Sequence, residues 1–160
     1  RGHKKIAFVA NYEGNPLLTD RFEGYRAAME ESGLGCDPDC IFSYSPSYEE
    51  GIAAGKAIAA SALKITGLVT TADICAIGIM EGARLGGLRI PTDLSVIGYD
   101  NLAVSTYTTP KLTTISQNVI KKAETAMELL LEKLRTGHVE QPRIQLDVEL
   151  VERQSTLSLL

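Results

Sequence analysis

The 160 residues are 44% hydrophobic and carry 16 basic against 20 acidic side chains, a net charge of -4. That suffices for one packed domain, and neither the charge nor the Pro and Gly content resembles a disordered chain. The scattered basic residues argue against an unaided grip on a phosphate backbone, and no apolar run approaches the roughly 20 residues of a membrane-spanning helix.

The charged start RGHKK runs into KKIAFVA at 4–10, a short apolar strand pattern with no signal-peptide core, so the chain is expected to be cytoplasmic. Residues 18–32 place Leu18, Phe22, Tyr25 and Met29 on one helical stripe. CIFSY at 40–44 is the next strand. A helix from about Ser47 follows, with Tyr48, Ile52, Ala59 and Leu63 expected to face inward beside Gly51 and Gly55. ITGLVTT, the helix from Asp73 to Leu85, LSVIGYD and LTTI at 112–115 continue the alternation. Apolar runs alternating with helices predict an α/β fold, a Rossmann-like doubly wound parallel sheet with helices on both faces. The helix from Asp73 is apolar almost all round, which suits either a central core helix or a subunit interface. Ile120, Ala123, Met127, Leu130 and Leu134 then form a 3,4,3,4 stripe that ends at Gly137, and RIQLDVELVER at 143–153 is expected as one or two strands.

In such a sheet ligands bind beyond the carboxyl ends of the strands, at 10–21, 43–48, 70–73 and 99–107. No G-x-G-x-x-G or Walker pattern occurs there, which argues against dinucleotide and triphosphate chemistry. Arg21, a cation in the first turn of its helix, either binds ligand hydroxyls or a carboxylate, or pairs with Asp20 or Glu23. Asp100 follows an apolar strand and needs hydrogen-bond donors, whether from a ligand or from a turn. Tyr44 and Tyr48 offer an apolar face for a sugar ring or close the core. His3 and His138 lie in no nucleophile context and read as surface residues. Cys36, Cys40 and Cys75 fit neither a disulfide framework nor a zinc knuckle, so reduced structural thiols are expected, with no metal and no catalytic group.

The strings GHKKIAFVA, RFEGYRAAMEESGL, SYEEG, AIGIMEGARLGGLRIP, GLRIPTDLSVIGYDN, LTTI and LVERQST together resemble the effector-binding region of the lactose repressor/galactose repressor (LacI/GalR) family, over essentially the whole chain. The resemblance implies a periplasmic-binding-protein-like (type I) fold of two subdomains with an effector between them. Residues 1–115 would be the C-terminal subdomain and 116–146 a crossover helix and strand packing on an N-terminal subdomain that this sequence lacks. Residues 147–160 would be a final strand and tail. It implies a homodimer, no cofactor, and contact with operator DNA only through an upstream helix-turn-helix absent here. Arg21 and Asp100 match family effector contacts, as do Asn15 and Leu17, the latter without a donor. Pro46 stands where many members carry an aromatic ring, so Tyr44 or Tyr48 would substitute. Ala72 replaces the usual asparagine and removes one donor and one acceptor, which leaves open a different sugar, a phosphorylated sugar or a purine. Ile74, Ile77, Met80, Glu81, Ser105 and Tyr107 match the dimer face. An extracytoplasmic solute receptor shares the fold and stands as the rival reading. A small α/β enzyme is a third, though it lacks a nucleophile or phosphate loop.

Overall fold

A computed structural model describes residues 2–12 and 14–159. β1 (Ile6–Val9), α1 (Pro16–Glu31), β2 (Ile41–Phe42), α2 (Tyr48–Ala60), β3 (Gly67–Thr70), α3 (Asp73–Leu85), β4 (Ser95–Tyr99), β5 (Thr113–Ser116), α4 (Val119–Thr136) and β6 (Glu149–Val151) follow in order. One sheet runs β2-β1-β3-β4-β5-β6, parallel except for the antiparallel β5–β6 pair. The expected parallel α/β sheet is therefore present. The stretch 143–153 is narrower than expected, since only Glu149–Val151 pairs as a strand.

Local chemistry sets the helix ends. Asn15 accepts the Leu17 N–H at 3.2 Å, and Pro16 opens α1, where its missing N–H costs nothing. Ser47 accepts from Glu50 at 3.2 Å. Asn118 caps α4 from a left-handed conformation, and Gly137 closes it at φ 73°.

Successive strand residues face opposite sides, so each face has its own core. Ala7, Val9, Leu68 and Val96 pack with Ala54, Ile58, Cys75, Ala76 and Ile79 of α2 and α3. Phe8 and Ala10 pack instead with Tyr25 and Met29 of α1, whose Tyr25 hydroxyl donates to the Ile6 carbonyl at 2.8 Å. The α1 stripe lies as expected, but the α2 stripe is rotated. Gly51, Ala54, Gly55 and Ile58 are its buried residues, whereas Ile52, Ala59 and Leu63 are half-buried and Tyr48 is exposed. Glycines cause the rotation. A Cβ at Gly51 or Gly55 would strike the α3 backbone, and one at Gly78 or Gly82 would strike the carbonyls of Tyr48 or Ile52, so the two helices touch backbone to backbone. That contact makes α3 a core helix on one side, while Ile74 and Leu85 remain exposed.

His3 is not a plain surface residue. Its Nδ1 lies 3.0 Å from the Thr66 hydroxyl and its Nε2 donates to the Leu157 carbonyl at 2.9 Å, clasping the two ends of the chain. His138 is exposed as expected. The three thiols are free, and burial pushes Cys40 and Cys75 above the usual thiol range, which disfavours thiolate chemistry.

α4 buries only Thr125 and exposes Val119, Ile120, Met127, Leu130, Leu131 and Leu134. A contiguous apolar stripe of this kind invites association. The 160-residue chain is expected to self-associate in sedimentation velocity, and a Leu130→Lys, Leu134→Lys pair is expected to reduce that association. Gly82→Ala forces the α2–α3 backbones apart and is expected to cost about 3 kcal/mol of unfolding free energy in urea, near the upper end for overpacking.

Candidate functional site

The parallel strands bring the ends of β1, β3, β4 and β5 to one edge of the sheet. There the Arg21 Nη1 of α1 donates to the Thr71 carbonyl, just past β3, at 2.6 Å, and its guanidinium carbon lies 3.8 Å from the centre of the Tyr99 ring at the end of β4. The pairing alternative for Arg21 is not realised with Glu23, which accepts from Arg26 instead. A guanidinium held by a carbonyl and a ring face keeps donors free for a further acceptor. Beside it the Thr71 hydroxyl is the one buried side-chain polar atom without a partner among the described residues.

Asp100 continues from Tyr99. Its N–H donates to the Ile115 carbonyl at 2.9 Å, and its carboxylate accepts from Gln117 Nε2, while Gln117 Oε1 accepts from Lys122 Nζ at 3.4 Å. Asp100 has φ 108° and Asn101 φ 52°, two successive non-glycine residues on the disfavoured side of conformational space. Asp100 is thus both a turn residue and a presented acid. The turn is held from behind by Asp73, fully buried at the start of α3. Its carboxylate accepts the Leu102 N–H at 2.8 Å and the Thr114 hydroxyl, and Thr114 Oγ1 accepts the Asn101 N–H at 3.3 Å. A side chain at position 98 would collide with that carboxylate, so Gly98 leaves room for it on β4. Burial pushes the Asp73 carboxyl above its ordinary range, opposed by these two hydrogen bonds.

Two recesses open at this edge. One, about 590 Å³, runs from Arg21, Thr71 and Tyr99 along the apolar sheet face beside α1 to Ile6 and Leu34, and the other, about 520 Å³, is lined by Asp100, Asn101, Ser116, Asn118, Asp147 and Glu149 among others. Val148 borders both.

The remaining sequence candidates divide. Asn15 is spent capping α1, and Leu17 stands 70% exposed in its first turn. Tyr44 is half-buried against the α2–α3 core, its carbonyl accepting the Asn11 N–H at 2.7 Å. Tyr48 lines a groove of about 420 Å³ with Ile77, Met80, Glu81, Arg84 and the Thr108–Pro110 turn, away from Arg21 and Asp100. The aromatic face beside Arg21 therefore comes from Tyr99, a residue within the G-Y-D string whose ring the sequence reading passed over. Ala72 is the uncapped N-terminal flank of α3. Glu81 pairs with Arg84 at 2.8 Å, Met80 is largely buried at the groove floor, and Ile74 and Tyr107 are exposed, Tyr107 at 78%. Ser105 departs from its expected place on a contact face. It is fully buried, its hydroxyl donating to the Leu102 carbonyl at 2.6 Å and accepting from Arg153. Asp73, Gln117 and Arg153 are the site residues that sequence reading missed, although the acid after Ala72 and the arginine of LVERQST both lay in strings it singled out.

Among the described residues no group of three His, Cys, Asp or Glu side chains is placed to hold a metal, and no helix is long and apolar enough to cross a membrane. The chain is 34% identical over 159 residues to the HTH-type transcriptional repressor CytR of Escherichia coli K12, covering 99% of this chain and 47% of that protein. It is 32% identical, with the same coverages, to the HTH-type transcriptional repressor PurR of Vibrio cholerae. It thus spans about half the length of these relatives. The structure of a LacI family transcriptional regulator from Enterococcus faecium with bound ribose superposes at a TM-score of 0.84 with 32% identity, covering 97% of this chain and 57% of that one. Residues 1–156 match the periplasmic binding protein-like domain, and with that fold and these relatives the chain belongs to the periplasmic binding protein-like domain family, in the form found in LacI-family regulators.

Proposed function

We propose that this chain is the effector-sensing and dimerisation region of a LacI/GalR-type transcriptional regulator, not an enzyme. The observation that carries the reading is that Arg21, held by the Thr71 carbonyl and the Tyr99 ring with donors to spare, and Asp100, the residue after Tyr99, stand at the same end of the sheet. Such a set orients a polyhydroxylated molecule, and the Tyr99 ring adds an apolar face. Relatives of this fold are seen with ribose, cellobiose and sucrose bound, which supports a sugar or sugar derivative. Ala72 removes one donor and one acceptor from this edge, which leaves a different sugar, a phosphorylated sugar and a purine all open as effectors.

The open edge supplies half of a pocket. We assign the other half to an N-terminal subdomain, on which the segment 116–146 packs through the exposed α4 stripe. Operator DNA is contacted by an upstream helix-turn-helix, which agrees with the net charge of -4, and places the protein in the cytoplasm. Effector binding favours one arrangement of the subdomains and thereby shifts operator affinity. The homodimer forms through the groove of Ile77, Met80 and Glu81 with the neighbouring Ile74 and Tyr107, giving two DNA units in two-fold symmetry.

Calorimetric titration of the complete regulator with ribose, cellobiose, sucrose, ribose 5-phosphate and hypoxanthine tests the pocket. Arg21→Ala and Asp100→Ala are each expected to weaken binding at least about tenfold, about 1.4 kcal/mol; unchanged affinity in both would remove the site assignment. Tyr107→Lys, at a side chain that closes no core, is expected to shift sedimentation toward monomer with little change in melting temperature. A dimer of unaltered affinity would place the interface elsewhere.

A further inference from the structure

The return strand β6 leads into an arginine whose donors reach three separate segments. Arg153 Nη2 donates to Asn101 Oδ1 at 2.6 Å, and Nη1 donates to the Ser105 hydroxyl at 2.9 Å and to the Leu112 carbonyl at 2.7 Å. Its backbone N–H donates to the Thr113 hydroxyl at 2.9 Å. The planar fork suits this task, because its donors diverge at fixed angles that a lysine ammonium does not reproduce. Three of the groups that hold the Asp100–Asn101 turn, the Asp73 carboxylate, the Thr114 hydroxyl and the Ile115 carbonyl, belong to α3 and β5. Arg153 is the one that arrives from the return strand, and it also grips the helical turn Ala103–Thr106 through Ser105.

We propose that Arg153 is a positioning residue that sets the strained Asp100–Asn101 turn and joins it to the 103–106 segment, so that a displacement of the return strand is felt at both. This rests on the reading of Asp100 as an effector contact and extends it toward the Thr108–Pro110 turn of the groove, because the Thr108 hydroxyl donates to the Ser105 carbonyl at 3.3 Å. Two successive non-glycine residues at positive φ persist only where the surroundings over-determine them. Removing one holder therefore releases the turn locally and leaves the sheet intact.

Amide hydrogen exchange by NMR on the full chain tests this without any ligand, so its outcome is separate from that of the effector titrations. In Arg153→Met the Asp100, Leu102 and Ser105 amides are expected to exchange about tenfold faster or more, while those of β1 and β3 stay within about twofold. Asn101→Ala is expected to raise exchange at Ser105 as well, to add nothing in the Arg153→Met background, and to be rescued by Asn101→Asp, which keeps the acceptor. Equal acceleration at every amide, no acceleration at the three, or multiplying effects in the double variant would each overturn the proposal. Should Arg153→Met not fold, the two Asn101 variants decide: faster Ser105 exchange in Ala but not in Asp supports it, and equal behaviour rejects it.

Discussion

The buried carboxylate of Asp73 is the constraint on which the functional edge depends. A carboxyl taken wholly out of water must find donors, and here they are the Leu102 N–H and the Thr114 hydroxyl. These two bonds join the start of α3 to the loop after β4 and to the middle of β5. The position has a further logic, since an acid in the first turn of a helix faces the positive end of the helix dipole. Gly98 yields the space, and the turn at Asp100 and Asn101 is bent around the result. The acid that meets solvent is thus aimed by an acid that never does.

Much of this architecture is legible in the sequence because it is repetitive. Apolar runs such as ITGLVTT and LSVIGYD can be satisfied only by strands covered on both faces, and the helix ends at Ser47, Asn118 and Gly137 follow from local chemistry; α1 instead starts at Pro16, two residues before the expected 18, with Asn15 as its cap. What was not legible is what depends on partners distant along the chain. The α2 stripe is legible in part: Gly51 and Gly55 pack closely as expected and Leu63 rests half-buried against the core, but Tyr48 is exposed because the backbone contact turns the helix toward Ala54 and Ile58. Asp73 and Thr114 are 41 residues apart, and Arg153 and Asn101 are 52 apart, so no local pattern marks either pair. Ser105 is placed on a contact face only by the family resemblance, and its hydroxyl is consumed inside instead.

The site candidates show the same division. Arg21 stands out in the sequence as a cation in a first helical turn, yet α1 begins at Pro16 and leaves it in the second turn, where the dipole argument has little force. Its distinction is instead its contact with the Thr71 carbonyl and the Tyr99 ring. The tyrosines at 44 and 48 were noticeable only by type, and type does not fix direction.

The strand lengths carry a last consequence. One margin of the sheet ends on β2, two residues long, and the other on β6, three residues long and reversed in direction. Neither offers a template long enough for an incoming strand to zip onto. Copies of this body, and any partner, are left to recognise it through helical and loop surfaces, where affinity is written in side chains one at a time. Affinity at such surfaces can change one side chain at a time while the hydrogen-bonded frame stays as it is.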